Sequence, residues 1–427
     1  MAIDERTDVQ RETEVGSIGA VVAVVPIDEP EILAGERRLA RALPFAVALP
    51  AVVLTYWTID GLSPALPAIQ DDLALSAAGT GLVFSLLFLG RLLANIPAAV
   101  LVDRIGAATT ATAGGVLLAT GSLAAALATG GALLFPARVV QGIGISLLVT
   151  AALRSVVRAK PGQGAAMTYF GVAATIGGIF GLQSGGYLTE AYGWRAVFGL
   201  SVVLGAILTV TTFAARGVGA VAAVDAGQPV DVDTGAGGDR SNLGPVVPAL
   251  LFNFLVFVNY SIWVALPLYT ERRFDASAEA NATLLLVITV MHLVAAFPAG
   301  RAIRRWGGRP VLIGGLLVAI AGTLLVLPAP AMRWLFVPLA LYGAGMVAAA
   351  NAGSDLVLQR GGLSGRAVGM VRLSSDLGLV LGPYATGALS DAFGYRTPFV
   401  ALPMVTALAV ILAVRERTPA NRPPSGS

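Results

Sequence analysis

Twelve long, mostly apolar stretches punctuate the chain, at about 44–68, 77–100, 108–129, 132–154, 164–188, 195–214, 246–270, 281–300, 309–328, 334–356, 365–388 and 395–414. A bilayer core of about 30 Å takes roughly 20 residues of helix. Inside that core every backbone N–H and C=O must find its partner within the segment, which favours helices. The pattern therefore predicts an all-α polytopic membrane protein with twelve transmembrane helices. Most polar breaks between stretches are short. The exception is 215–245, RGVGAVAAVDAGQPVDVDTGAGGDRSNLGPV, whose Gly, Asp and Pro predict a flexible linker with six spans on either side. The expected organisation is a disordered cytoplasmic tail (1–43), a six-helix bundle (44–214), a cytoplasmic linker (215–245), a second six-helix bundle (246–414) and a short cytoplasmic tail (415–427).

The two halves repeat one another. A shift of 201 residues sets GGIFGLQSGGYLTEAYGWRAVF against GLVLGPYATGALSDAFGYRTPF, so that Gly177, Gly181 and Gly186 meet Gly378, Gly382 and Gly387. Glu190, Gly193 and Arg195 meet Asp391, Gly394 and Arg396. The same shift superposes Pro97 on Pro298, Arg104 and Gly106 on Arg305 and Gly307, and Gly142 and Gly144 on Gly343 and Gly345. Two pseudo-symmetric six-helix bundles follow, an architecture that places a substrate near mid-membrane between the halves.

Composition narrows the chemistry. The chain is 56% hydrophobic and 12% charged, where a soluble domain carries roughly 25% charged residues. It has no cysteine and a single histidine, His292, which excludes thiol chemistry, disulfides and a multi-histidine metal centre. No G-x-x-x-x-G-K-[ST], H-E-x-x-H or G-x-S-x-G motif is present, so neither ATP hydrolysis nor intramembrane hydrolysis is expected; the chain reads as no enzyme, with no cofactor or metal. Basic residues are scattered over short loops rather than gathered into a nucleic-acid patch. They do crowd one side: Arg37, Arg38, Arg41, Arg104, Arg158, Arg301, Arg304, Arg305, Arg309, Arg415 and others against Arg195, Arg272, Arg273, Arg333 and Arg396. By the positive-inside rule both termini are cytoplasmic, in a multi-pass protein of the cell membrane. The polar first 40 residues lack the basic, apolar and cleavage regions of a signal peptide.

The span from 44 to 414 resembles the major facilitator superfamily. AVLVDRIGAA, with Asp103, Arg104 and Gly106, is similar to that family's loop signature between helices 2 and 3. GRAIRRWGGR, with Arg305 and Gly307, is its repeat copy. Arg138, Gln141, Gly142 and Gly144 match an R-x-x-Q-G-x-G motif common in proton-coupled members. GGIFGLQSGGYL resembles the glycine-rich helix-5 signature of the drug:proton antiporter branch, with Leu182 in place of its proline; that proline appears in the second half as Pro383. The resemblance implies a secondary transporter working by alternating access, with a small-molecule substrate, protons and the lipid bilayer as partners. It leads to an expectation of proton-coupled export of small amphipathic or hydrophobic compounds by a monomer. The alternatives are uptake or exchange of a small organic anion and, from another class, a non-transporting membrane sensor or assembly protein.

Charge inside a span costs at least about 2.5–3.5 kcal/mol, so ionisable residues there are candidates for function. Asp60, Arg91, His292 and Asp376 lie well inside their spans, and Arg91 and His292 coincide under the 201-residue shift. Asp60 and Asp376 are the expected coupling carboxylates, and Arg372, four residues before Asp376, is placed to pair with it along one helix face. Arg138 joins this set through its motif, with snorkelling or bonding to neighbouring carbonyls as the structural alternative. Trp57, Tyr260 and Trp263 are candidate pocket aromatics. Asp103, Arg104, Gly106, Arg305 and Gly307 form candidate gating loops, and Arg154 and Asp355 are candidate gate or interdomain salt-bridge residues. The glycines Gly177, Gly181, Gly185, Gly378 and Gly382 allow close helix approach. They are expected where the two halves meet.

Overall fold

The computed structural model describes residues 47–159, 163–225, 247–361 and 365–415. The predicted tails, apart from Arg415, and residues 226–245 of the predicted linker lie outside this set; the linker's first part, 215–225, instead continues the helix Trp194–Asp225. Among the described residues the chain forms fourteen α-helical segments. They are α1 (47–60), α2 (Leu66–Asp72), α3 (Ala77–Ile105), α4 (Ala107–Ala126), α5 (Gly131–Ala159), α6 (Gln163–Tyr192) and α7 (Trp194–Asp225) in the first half. The second half contains α8 (Val247–Val258), α9 (Ile262–Phe274), α10 (Ala278–Trp306), α11 (Gly308–Leu324), α12 (Phe336–Gly361), α13 (Gly365–Phe393) and α14 (Pro398–Arg415).

Segments α1 and α2 are one span broken by a 3₁₀ turn at Ser63–Ala65, and α8 and α9 are one span broken at Asn259–Ser261. Counted this way the described residues make twelve rods, which fits the hydropathy pattern. Eight helical stretches are apolar and long enough to cross a membrane, and Gly308–Leu324 is a shorter apolar helix. Large apolar side chains such as Ile96, Phe180, Val210, Phe297 and Met404 stand exposed on the flanks, where a membrane protein meets lipid tails.

The repeat extends to backbone geometry. Gly106 and Gly307 end α3 and α10 with φ of +83° and +86°, and Gly193 and Gly394 end α6 and α13 with +81° and +90°. A Cβ is disfavoured at such angles, so the turn itself demands glycine. The only two non-glycine residues of positive φ among those described, Ala74 and Asp275, are again 201 positions apart. Serine caps recur as well: Ser76 accepts from Gly79 N–H at 3.0 Å and Ser277 from Ala280 N–H at 3.3 Å, at the starts of α3 and α10.

The bundles meet along α3 with α13 and α6 with α10, and at the end of the molecule opposite residues 47 and 415 they are bonded together. Asp391 of α13 accepts from the first two N–H groups of α3, Ala77 at 2.7 Å and Ala78 at 2.8 Å. Its repeat partner Glu190 of α6 accepts from Ala278 N–H, the first residue of α10, at 3.1 Å. Each half thus lends a carboxylate to the helix start of the other, where unpaired N–H groups and the helix dipole favour negative charge. Asp71 and Arg272 add an ion pair at 2.7 Å across the same junction, and Gln70 donates to the Tyr395 hydroxyl at 2.9 Å. Within the first half, Arg195 and the Trp194 indole both donate to Asp72, and these bonds hold its carboxyl below the usual range.

Here the glycine expectation needs correction. A methyl at Gly181 would stand 2.6 Å from the Trp57 carbonyl, and methyls at Gly177 and Gly185 would strike the Val53 and Gly61 carbonyls. All three partners lie on or beside α1, in the same bundle. Gly378 and Gly382 likewise face Phe254 and Val258 of α8. The interdomain contacts belong to other glycines: Gly186 against Ala278 and Ala282, Gly387 against the Ala77 carbonyl, and Gly81 against the Pro383 carbonyl. Adjacent helix positions point about 100° apart, so Gly185 serves α1 while Gly186 serves α10.

The reciprocal caps give a direct prediction. Loss of an N-cap acceptor costs about 1 kcal/mol, about fivefold in the closed-to-open ratio for each cap. The chain has no cysteine, so spin labels on cysteines at exposed Thr129 and Arg333 report this end cleanly. Asp391→Ala with Glu190→Ala is expected to populate a longer label distance; an unchanged distribution would rule out a clamping role for the caps.

Candidate functional site: a charged centre between the bundles

The two broken spans put irregular backbone at mid-depth, which is tolerated only where other groups satisfy it. At the second break Asn259 is held on three sides: its carbonyl accepts from Tyr342 at 2.6 Å, its amide donates to the Leu255 carbonyl, and its Oδ1 accepts from Thr406. Asp60 ends α1 at the first break. Tyr260 lies at the equivalent break 200 residues on, so the repeat brings a carboxylate and a phenol to matching places.

Asp376, 1% exposed, is the hub of the centre. Arg91 Nη2 of α3 lies 3.3 Å from its Oδ1, and Asn95 of α3 donates to its Oδ2 at 2.6 Å. Asn95 Oδ1 in turn accepts from Ser146 of α5 at 2.9 Å. The network joins the halves well below the capped end. Higher on the same seam, Ser85 accepts from Tyr384 N–H at 3.1 Å, directly after Pro383 interrupts α13.

This arrangement replaces the expected Arg372–Asp376 pair. Both Asp376 oxygens are engaged by α3, and no hydrogen bond or ion pair to Arg372 forms. Arg372 makes no hydrogen bond or ion pair among the described residues, and its Nη2 is buried without an acceptor. It interacts electrostatically with Arg91, Asp376 and Tyr56. Asn253 of α8 fixes the neighbouring turn of α13 by donating to the Val371 carbonyl and the Ser375 hydroxyl. Asp60 also lacks a hydrogen bond or ion pair among the described residues. Its carboxylate occupies the space that a side chain at Gly178 of α6 would take, and it interacts at longer range with Arg91.

The second half contributes an aromatic wall, of which Tyr260 interacts electrostatically with Asp60. Phe257 stacks on Tyr260 with centroids 5.1 Å apart, Tyr260 on Trp263 at 5.6 Å, and Trp263 on His292 at 6.1 Å. His292 Nε2 and Trp263 Nε1 are buried without partners. Trp57 is not part of this wall: it is 6% exposed and donates to Ser184 at 2.6 Å in the α1–α6 seam of its own bundle.

Arg138 is not brought to the centre either. It is 1% exposed and donates to the Val83 carbonyl at 2.8 Å and to Gln141 at 2.6 Å, while Gln141 donates to Ser122 at 2.7 Å. Gly142 lies against the Leu87 carbonyl and Gly144 against Gly114. The whole R-x-x-Q-G-x-G run therefore ties α5 to α3 and α4. Asp103 pairs with Arg154 at 2.6 Å inside the first bundle, so Arg154 is engaged within its own half rather than across the two. Asp355 lies against Gly308 at the start of α11. Arg104 and Arg305 sit in the last turns of α3 and α10, beside Gly106 and Gly307.

Sequence reasoning passed over Asn95, Ser146, Asn253 and Gly178. Neutral amides and hydroxyls inside apolar helices are themselves a signal, because such groups bond across helices in lipid.

Paired helical bundles, with buried charge and an aromatic face between them, define a multi-pass membrane transporter rather than an enzyme. The family model described as Major Facilitator Superfamily matches residues 48–357 and 248–427. The chain belongs to the Major Facilitator Superfamily. Its fold is similar to that of the nucleoside transporter NupG, with TM-score 0.70 and 15% identity over 90% of this chain and 100% of that one. It is likewise similar to a D-xylose-proton symporter, with TM-score 0.69 and 15% identity over 87% and 96%.

Among curated relatives, the methylenomycin A resistance protein of Streptomyces coelicolor is 31% identical over 207 residues, 47% of this chain and 42% of that protein. The multidrug resistance protein Stp of Mycobacterium tuberculosis is 32% identical over 151 residues, 35% and 28%. The hexuronate transporter of Bacillus subtilis is 34% identical over 166 residues, 38% and 39%. The chain spans about a quarter to two fifths of the length of the curated relatives it matches.

The central pair is testable as a cycle. Removing one partner of a buried ion pair costs about 3–5 kcal/mol because the other charge is stranded. Asp376→Asn and Arg91→Gln are each expected to lower the thermal unfolding midpoint in detergent sharply, and the double variant by less than their sum. Simple additivity would mean that the two residues do not act as a pair.

Proposed function

We propose that the chain is a proton-coupled secondary transporter that exports small amphipathic or hydrophobic compounds by alternating access. The observation that carries this reading is Asp60: a carboxylate at the break of a span, with neither hydrogen bond nor ion pair among the described residues, packed against Gly178 and interacting electrostatically with Tyr260. A carboxylate in that position gains or loses a proton without breaking a structural bond. Asp376 is tied to Arg91 and Asn95 and would strand a guanidinium on protonation. The coupling role therefore falls to Asp60. Export is supported by the two relatives named as resistance proteins.

In this reading the end bearing residues 47 and 415 is cytoplasmic, in keeping with the arginine distribution, and the chain acts as a monomer. The reciprocal caps close the outer end, so the described state is inward-facing. Opening outward requires Asp391 and Glu190 to release the starts of α3 and α10. The loops at Asp103-Arg104-Gly106 and Arg305-Gly307 act as inner gates.

The test is proton flux in proteoliposomes against a panel of drugs and organic acids. The expected result is substrate-induced proton movement that Asp60→Asn abolishes while substrate counterflow persists. Full proton movement in Asp60→Asn would remove Asp60 from the coupling role, and substrate transport with no pH change in the native protein would remove proton coupling altogether.

A further inference from the structure

The divergence of the repeat gives the centre two unlike sides. The first half supplies Asp60 and Arg91, and the equivalent positions of the second half are Tyr260 and His292 on the aromatic wall. Helix α13 adds Arg372 and Asp376, where α6 has Gly171 and Thr175. Of the four charged groups, Arg91 and Asp376 neutralise each other. Asp60 and Arg372 are left over, one from each bundle and of opposite sign. Asp60 lies against Gly178 of α6 and Arg372 stands one turn from Asp376 on α13, and both interact electrostatically with Arg91.

The two leftover ions differ in how they can be relieved. Asp60 can be neutralised by a proton. Arg372 cannot, because a guanidinium does not deprotonate in proteins, and its buried Nη2 has no acceptor. An unpaired ion in low dielectric is costly, and an arginine in a span calls for a partner of opposite charge. The four charges cancel when the site is empty. A cation leaves Arg372 unmet and an anion leaves Asp60 to a proton, whereas a molecule carrying one charge of each sign meets both ions at once and keeps the site neutral. A planar guanidinium matches a carboxylate through two parallel N–H bonds. Beside the charges, Tyr260, Trp263 and His292 form a nearly stacked face suited to a flat ring.

We propose that the charged centre between the bundles takes a ring-bearing zwitterion, its oxyanion on Arg372, its ammonium on Asp60 and its ring against Tyr260, Trp263 and His292. This substrate class rests on the transport reading above and sharpens it: the ammonium occupies the place of the coupling proton, so substrate and proton exclude one another, as exchange requires.

Binding to the purified full chain, measured by isothermal titration, tests it with two matched sets that differ in charge separation. One is L-tryptophan with tryptamine and indole-3-propionate. The other is 4-(aminomethyl)benzoate with 4-methylbenzylamine and 4-methylbenzoate. At least one zwitterion is expected to bind tenfold or more tightly than both of its singly charged analogues. Arg372→Gln should erase its advantage over the amine and Asp60→Asn its advantage over the acid. Arg372→Lys, which keeps the charge, should retain part of the preference, and thermal unfolding checks that each variant is folded. Equal binding of a singly charged analogue, no binding by either zwitterion, or a preference that survives in both Arg372→Gln and Asp60→Asn overturns the proposal. The same compounds are then applied to proteoliposomes. If the amines alone exchange with protons, the zwitterion class fails and the transport reading stands; if no compound moves protons, both fail.

Discussion

A carboxylate taken out of water into the middle of a membrane protein must be met by a cation and by hydrogen bonds, and Asp376 is where this chain satisfies that demand. Its two oxygens are met by Arg91 and Asn95, both from the other half. Burial of the charge is therefore possible only when the two bundles are together at this depth. The rest of the centre follows from that choice. Arg372 is left without its helix-face partner, Asp60 without an arginine within bonding distance, and the two remain available to something that is not protein.

The bundles themselves are held by backbone proximity rather than by bulky interlocking side chains. Glycines set α6 on α1 and α13 on α8 at contacts where even a methyl group would strike a carbonyl. In lipid, helix association draws on such packing because burying apolar surface against another helix gains little over burying it in hydrocarbon tails. Rigid halves result, and a rigid half can move as a body. The polar bonds between halves, in contrast, fall in two places among the described residues: the capped end, with its carboxylates at the starts of α3 and α10, and the α3–α13 seam with Ser85–Tyr384 and the Asp376 centre.

The fold was legible because its signals are local. Apolar runs, the arginine loops and the glycine turns at Gly106 and Gly307 each repeat in sequence before any contact is known. The partnerships were not legible. Asp376 has an arginine four residues away on its own helix, and only the arrangement of α3 against α13 reveals that Arg91, far away in the chain, takes its place. The glycine faces posed the same difficulty: Gly185 and Gly186 are neighbours in sequence yet serve different helices. Arg138 shows the limit of motif reasoning, since its spacing reflects how α5 packs on α3 and α4, and its bonds are complete without any mobile proton. The aromatic wall was half visible, because Tyr260 and Trp263 lie on one broken span, whereas Trp57 found a serine in its own bundle.

For a rocking motion of the bundles, the strengths of these contacts locate the pivot. Each cap at the bonded end is worth about 1 kcal/mol, and the exposed Asp71–Arg272 pair less than that in water. The caps also have water waiting as a substitute once the end opens. The Arg91–Asp376 pair has no such substitute: separating it strands two charges at mid-depth, at a cost of about 3–5 kcal/mol. A motion that breaks the caps and keeps the central pair is therefore far cheaper than the reverse. The α3–α13 seam carries that pair, while α6 and α10 have Thr175 and Ala296 where Asp376 and Asn95 would stand. Equal rocking about both seams would ignore this difference. The bundles should instead turn about Arg91 and Asp376, with the α6–α10 side travelling further. Asp60, packed against α6 at Gly178, then moves relative to Arg372 on α13, and the space between the two unpaired ions changes with every cycle.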